Sequence, residues 1–321
     1  MIRHRLTATI ALALCAGAAQ AGYLFQDVVD PANPGFTQVL GINNAGTIVG
    51  YGNASAFNGF SAVAPYGGAQ FTRENFPGSS ATQVVGISGL GTTVGFWVDV
   101  TGANHGFVDV GGTYSTVDAP GTAFDQLLGI GKSNGLAVGY SSTDAAGATL
   151  QRAFVFNTVL SAYTYIDTLL PANINSQATG INDAGAAVGF FEDVTGAFEG
   201  FEDVAGVVTT IDVPGALSTQ ALGINGLGQI VGDYTDAGGA MHGFLDIGGV
   251  FTTLDPAAST ATTINGINDL GQIVGFYTNA QGLTLGFQGQ PQANAVPEPG
   301  GVGLTLLALT LAACARGRMR R

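Results

Sequence analysis

The sequence predicts an all-β protein built from six copies of one four-stranded unit. Three features of the 321 residues lead there. A decapeptide recurs as GINNAGTIVG from Gly41, GISGLGTTVG from Gly86, GINDAGAAVG from Gly180, GINGLGQIVG from Gly223 and GINDLGQIVG from Gly266, with a degenerate copy, GIGKSNGLAVG, from Gly129. A phenylalanine follows each copy, at Phe60, Phe107, Phe154, Phe201, Phe244 and Phe287. A β-rich run ending near Asp and Pro comes next, as in YSTVDAPG at 114–121, VTTIDVPG at 208–215 and FTTLDPA at 251–257. The copies start 45, 43, 51, 43 and 43 residues apart. Self-similarity at such a period marks a repeat architecture.

Each unit has room for four strands. Around Gly223 these are TQALGIN, GQIVGDY, HGFLDI and GVFTTLD. Asn-x-x-Gly closes the first hairpin, where glycine takes the left-handed conformation without a Cβ clash. Asp99–Gly102, Asp193–Gly196 and Asn279–Gly282 close the second hairpin of their units, and Gly248-Gly249 closes a third. Residues 22–290 contain no convincing amphipathic helix. Four strands in about 43–45 residues match one blade of a β-propeller.

The ends of the repeat array argue for a ring. The sixth unit stops after Phe287 without its Asp-Pro strand, whereas the chain begins with an unmatched strand of that type, YLFQDVVDP at 23–31. Pairing the two completes a sixth blade and removes two sheet edges that would otherwise invite aggregation. The prediction is therefore a six-bladed propeller closed by the N-terminal strand. The alternatives are an open β-solenoid or a ring that differs by one blade.

Composition sets outer bounds. Charged residues are only 10% of the chain and hydrophobic residues 46%, which excludes a disordered polar protein. The 51 glycines follow no three-residue period, which excludes collagen. Net charge is -13, so nucleic acid is excluded as a partner on electrostatic grounds.

Both termini read as processing segments. Residues 1–21 have the form of a secretory signal peptide: Arg3, His4 and Arg5, then an apolar run, then Ala19-Gln20-Ala21 ahead of Gly22 as the mature start, which makes signal peptidase a partner. Residues 291–299 form a linker with Val296, Pro297, Glu298 and Pro299. Residues 300–321 follow as a short apolar helix and an arginine-rich tail with Arg316, Arg318, Arg320 and Arg321. The basic ends belong on the cytoplasmic side, which puts the part between them outside the inner membrane. The uncharged stretch 302–315 would reach about 21 Å as a helix, short of a ~30 Å hydrocarbon core. Membrane contact is thus expected through this segment alone, as a transient anchor. The exported part carries 22 acidic residues against Arg73, Lys132 and Arg152, a net of −19. It contains neither cysteine, since Cys15 and Cys314 lie in the end segments, so its core must hold without disulfides.

Two resemblances rest on these residues. The tail resembles the PEP-CTERM sorting signal of Gram-negative bacteria, which implies recognition by an exosortase-type membrane protease, delivery to the cell surface or extracellular matrix, and a host that makes exopolysaccharide. The repeats over about 36–290 resemble the HAF repeat of bacterial extracellular proteins. The His-Ala-Phe step of that repeat is only partly kept: His105-Gly106-Phe107 and His242-Gly243-Phe244 retain the histidine, whereas Asn58, Arg152, Glu199 and Leu285 replace it. The resemblance implies an exported repeat protein and brings no chemistry with it.

No catalytic set stands out. No serine occupies a G-x-S-x-G elbow, and His105 and His242 are the only histidines of the exported part. The acids recur by repeat, at Asp118, Asp167, Asp212 and Asp255 and at Asp99, Asp193 and Asp236, which suits turn capping better than a catalytic pair. No cofactor is implied, although DVTG at 99–102, DVTG at 193–196 and DYTDAGG at 233–239 could offer oxygens to calcium. One face of the ring would carry Trp97, Phe96, Phe191, Tyr234 and Tyr277 beside Asp99, Asp193 and Asp236, where rings can stack on sugars and carboxylates can bind hydroxyls. A row of Gln38, Gln83, Gln126, Gln177 and Gln220 opens the first strands and either serves the structure or lines a polar mouth. The expectation is a non-enzymatic binding or structural protein associated with exopolysaccharide. The alternative is a hydrolase or lyase acting on such polymers.

Overall fold

In the computed structural model, residues 22–53, 57–166, 170, 174–257 and 259–292 are described. The signal segment through Ala21, the Val296–Pro299 motif and the arginines from Arg316 to Arg321 lie outside them. Among the described residues no helix is long and apolar enough to cross a membrane.

Six four-stranded sheets form the compact unit Leu24–Gln290. The first sheet holds β2 (Thr37–Ile42), β3 (Ile48–Gly52), β4 (Asn58–Ala62) and β5 (Phe71–Arg73). The second holds β6 (Ala81–Ile87), β7 (Thr93–Val98), β8 (Asn104–Val110) and β9 (Thr113–Val117). The third is β10 (Phe124–Ile130), β11 (Leu136–Ser142), β12 (Arg152–Asn157) and β13 (Ala162–Tyr165). The fourth is β14 (Ser176–Ile181), β15 (Ala187–Glu192), β16 (Phe198–Val204) and β17 (Val207–Ile211). The fifth is β18 (Ser218–Ile224), β19 (Ile230–Thr235), β20 (Met241–Ile247) and β21 (Val250–Thr253). The sixth joins β22 (Ser259–Ile267), β23 (Ile273–Asn279) and β24 (Thr284–Pro291) to β1 (Tyr23–Val28), so the N-terminal strand completes the last blade. The fold is a six-bladed β-propeller, as the repeat predicts.

The repeat residues explain the ring. The six phenalanines after the decapeptide are at most 1% exposed and form the largest buried side chains. Each fills the space between neighbouring sheets, and burying a ring of that size contributes about 1.5–3 kcal/mol. The asparagine of the decapeptide does two jobs. In Asn225 the side-chain oxygen accepts from the Leu227 and Gln229 amides, which shapes the turn. Its Nδ2 donates to the Asn268 carbonyl of the next blade at 3.0 Å. The same link runs from Asn43 to Ser88, Asn134 to Asn182, Asn182 to Asn225 and Asn268 back to Asn43. Ser88 has no amide to give, and there the Gly89 N–H bonds the Lys132 carbonyl instead. The extra residue of the degenerate copy shifts its asparagine to Asn134 yet keeps the link.

Closure also needs the decapeptide's first glycine. A β-bulge sits at each of these positions, as between Val84 and Gly86. The glycines then meet around the axis: a Cβ on Gly86 would lie 3.1 Å from the Gly129 Cα, one on Gly180 3.1 Å from Gly223, and one on Gly266 3.4 Å from Gly41. Side chains there would hold the blades apart, so glycine is required by approach rather than by backbone angle. A final latch joins the closing strand to the first blade. Asp30, fully buried, takes two hydrogen bonds from the Arg73 guanidinium, at 2.8 and 2.6 Å.

Candidate functional site

The first strands of all six blades line the axis. From the glycine ring outward they present Leu40, Val85, Leu128, Thr179, Leu222 and Asn265, and then a cavity of about 480 Å³ opens. This volume falls within the roughly 300–1,000 Å³ of small-molecule sites. The glycine ring lies on the other side of this layer of side chains. Beyond it Lys132 crosses the axis, its Nζ donating to the Ile42 carbonyl at 2.7 Å, and burial pulls that amine down to about 8.

The glutamine row lines this mouth. Gln38, Gln83, Gln126, Gln177 and Gln220 stand at one register position in five blades, and Thr263 takes it in the sixth. Gln38 Oε1 accepts from the Tyr51 hydroxyl at 2.6 Å, and Gln177 Nε2 donates to Gln151 Oε1 at 2.9 Å. Gln83 and Gln220 form no side-chain hydrogen bond among the described residues. Asn265, one step deeper, keeps a buried carboxamide oxygen without a partner among them.

The second strands contribute the neighbouring position, and here one blade differs. Tyr51, Phe96, Tyr140, Phe190 and Phe276 pair across from Gln38, Gln83, Gln126, Gln177 and Thr263. The residue across from Gln220 is Asp233. Phe96, Phe190, Phe276 and Asp233 all reach the cavity, and Asp233 is the sole ionisable group among the described residues that line it. It is 6% exposed. Burial raises its carboxyl to about 7, against a smaller pull downward from the Thr263 hydroxyl bond. Asp233 belongs both to the strand GQIVGDY and to the acidic segment DYTDAGG in sequence; it lies on β19 facing inward, because the strand runs on to Thr235 and the hairpin begins at Asp236. The signal that could have found it is the break in an otherwise aromatic column.

The residues singled out from sequence lie on the side of the ring where the first strands begin, spread over the second, fourth, fifth and sixth blades. Trp97 stacks between Phe76, 4.1 Å away and nearly parallel, and His105, 4.7 Å away. Tyr277 is buried and donates to Asp27 at 3.1 Å. Tyr234 shares a 2.8 Å hydroxyl contact with Thr253. The three hairpin aspartates shape turns. Asp99 accepts from the Thr101 hydroxyl and the Thr101 and Ala103 amides, which holds its carboxyl down to about 2. Asp193 repeats this with Thr195 and Ala197, and Asp236 with Gly238 and Ala240. Two local groups do assemble. His105 lies 2.8 Å from Asp118 and 3.8 Å from Asp99, and His242 lies 2.8 Å from Asp255 and 3.6 Å from Asp236. The histidine of the repeat thus ties the second hairpin to the fourth strand. Among the described residues no group of three or more His, Cys, Asp or Glu could hold a metal ion.

No family model and no curated protein sequence matches the chain. Solved structures resemble it in fold. TolB from Acinetobacter baumannii superimposes with a TM-score of 0.52 at 11% identity, over 82% of this chain and 66% of that one. The chain thus spans just under two thirds of TolB. A lectin from Aleuria aurantia in complex with Fucalpha1-6GlcNAc gives 0.49 at 11% identity, over 83% and 99% of the two chains. A prolyl endopeptidase gives 0.47 at 11% identity, over 85% and 43%. At such identities the likeness concerns the propeller architecture alone.

Proposed function

We infer that the protein is a non-enzymatic binding module, exported to the cell surface or matrix, that engages polysaccharide of its host through the axial cavity. The observation that carries this reading is the composition of that cavity. Six carboxamides, three phenylalanines and one carboxyl line a cavity of about 480 Å³. Carboxamides offer donors and acceptors together, as hydroxyl-rich ligands need, and aromatic faces suit the apolar side of a sugar ring. Export and delivery by signal peptidase and an exosortase-type protease rest on the terminal motifs.

Catalysis fits less well. Glycoside hydrolysis needs two carboxyl groups flanking one bond, about 5–10 Å apart. Asp233 has no such companion among the described residues of the cavity wall. Both histidines of the exported part are engaged by aspartate pairs at blade edges. The test is co-sedimentation of the purified protein with host exopolysaccharide, with the polymer length followed over time. Binding with constant length is expected. Shortened polymer would replace the binding reading with an enzymatic one, and absence of binding would remove the polysaccharide.

A further inference from the structure

Asp233 poses a problem that the cavity itself does not solve. Five blades put an aromatic ring at this register position, and the fifth blade puts a carboxyl there. Among the described residues no cation lines the cavity beside it. The three basic residues of the exported part are engaged elsewhere: Arg73 with Asp30, Lys132 with the Ile42 carbonyl beyond the glycine ring, and Arg152 over the Tyr165 ring at 4.0 Å. The strands packed around Asp233 present Gln220 from β18, Gly243 from β20 and Thr263 from β22. The titratable side chains of β20 are turned to other partners: His242 contacts Asp236 and Asp255, and Asp246 caps Gly249. A buried carboxylate without a counter-charge is costly, and a ligand cation relieves that cost. The overall field favours the same sign, since an exported net charge of −19 attracts cations to the mouth.

We propose that the axial cavity selects an amine-bearing sugar, whose ammonium group seats against Asp233. Gln220, directly across from Asp233, has a carboxamide oxygen to take a remaining N–H donor, and Phe190 and Phe276 line the cavity from the two adjacent blades. Aromatic faces attract cations, so the neighbouring blades reinforce the carboxylate. An N-acetylated sugar keeps the hydroxyls yet loses the charge. This assignment deepens the binding reading and rests on it for the sugar part of the ligand.

Binding an ammonium requires Asp233 ionised. Below neutrality its proton must leave to solvent as the ligand enters, so affinity falls with acidity. A neutral ligand accepting a hydrogen bond from the protonated carboxyl behaves in the opposite sense. Titration calorimetry of the full protein with a tetramer of β-linked glucosamine, and with its N-acetylated counterpart, separates the two at pH 5.5 and 7.0. The expected result is that the amine tetramer binds on the order of tenfold more tightly at pH 7.0. The N-acetylated tetramer should bind at least about 30-fold more weakly there, and Asp233→Asn should bring the amine tetramer down to the same level. Asp233→Phe, which restores the column of the other blades, provides a second variant should the first misfold. Equal affinity for both tetramers, or amine binding indifferent to both substitutions, overturns the proposal. If the tetramer fails while host polymer still binds, the ammonium assignment falls and the binding reading stands. If the tetramer binds through Asp233 while host polymer does not, the reverse holds.

Discussion

Replacing Asp233 with asparagine should make the protein more stable in mild alkali while changing little in acid. The carboxyl is raised from 3.8 to about 7 by burial. A raised carboxyl means that the folded state holds its proton longer than the unfolded chain does. The stability this group contributes is complete below about pH 4, is lost as pH rises through its folded value, and levels off above pH 7. The full shift is about three units, and at 1.36 kcal/mol per unit it corresponds to about 4 kcal/mol. Between pH 5 and pH 8 the part still to be lost is about 2–3 kcal/mol. The open mouth admits water to the carboxylate, so this figure is a ceiling. Asparagine has the same shape and no charge to bury. Urea unfolding of both proteins at pH 5, 6, 7 and 8 gives the difference directly, because every other titrating group cancels. The variant should gain on the wild type by about 1–3 kcal/mol over that range. Parallel stability curves would show that Asp233 is solvated like a surface acid, and the argument from its isolation would fail with them.

Three further outcomes test the ring. Arg73→Met removes the counter-charge of the buried Asp30 and leaves it the Ala32 and Asn33 hydrogen bonds, so it should cost up to about 3–5 kcal/mol in thermal or urea unfolding, whereas a loss under 1 kcal/mol would mean that the latch is dispensable. Gly86→Val pushes a side chain into the Gly129 backbone at the axis and should cost at least about 1–3 kcal/mol, read as a lower melting temperature; an unchanged melting temperature would refute the close approach. His242 has its ring raised, first by the Asp255 hydrogen bond, so its contribution to stability is full below about pH 6.5 and lost as pH rises through the higher folded value. His242→Gln should remove that slope near neutrality in melting curves, and an identical slope in the variant would leave the histidine without a role in holding the hairpin to the fourth strand.

The ring was legible because the repeat states it many times over. One glycine, one asparagine and one phenylalanine per unit suffice for the bulge, the blade-to-blade link and the inter-blade core, and all three recur at readable spacing. The N-terminal strand was legible for a related reason: the last unit lacks what the first segment offers. The site was harder. Trp97, Asp99, Asp193, Tyr234, Asp236 and Tyr277 attract attention as aromatic and acidic residues near loops, yet the local hairpin hydrogen bonds of the three aspartates depend only on neighbours a few residues away. Such local demands explain their recurrence without any ligand. Which strand positions point to the axis depends instead on the bulge at each glycine, because a bulge shifts the alternation of side chains along the strand.

That dependence conceals Asp233 within its own unit. Within its own unit it reads as one more acid in DYTDAGG. Only alignment with the other five second strands reveals a carboxyl in an aromatic column. Symmetry then makes the argument specific. Six equivalent blades would give the axis an uncharged, nearly rotationally uniform wall, to which a ligand could bind in six equivalent orientations. One carboxyl, with Thr263 in place of a sixth glutamine beside it, removes that degeneracy. The fifth and sixth blades together therefore define one direction in the cavity. The rest of the ring supplies depth, carboxamides and aromatic faces that tolerate exchange between blades. Substitutions in the other glutamines should accordingly lower affinity in small steps, whereas a change at Asp233 should remove selectivity in one.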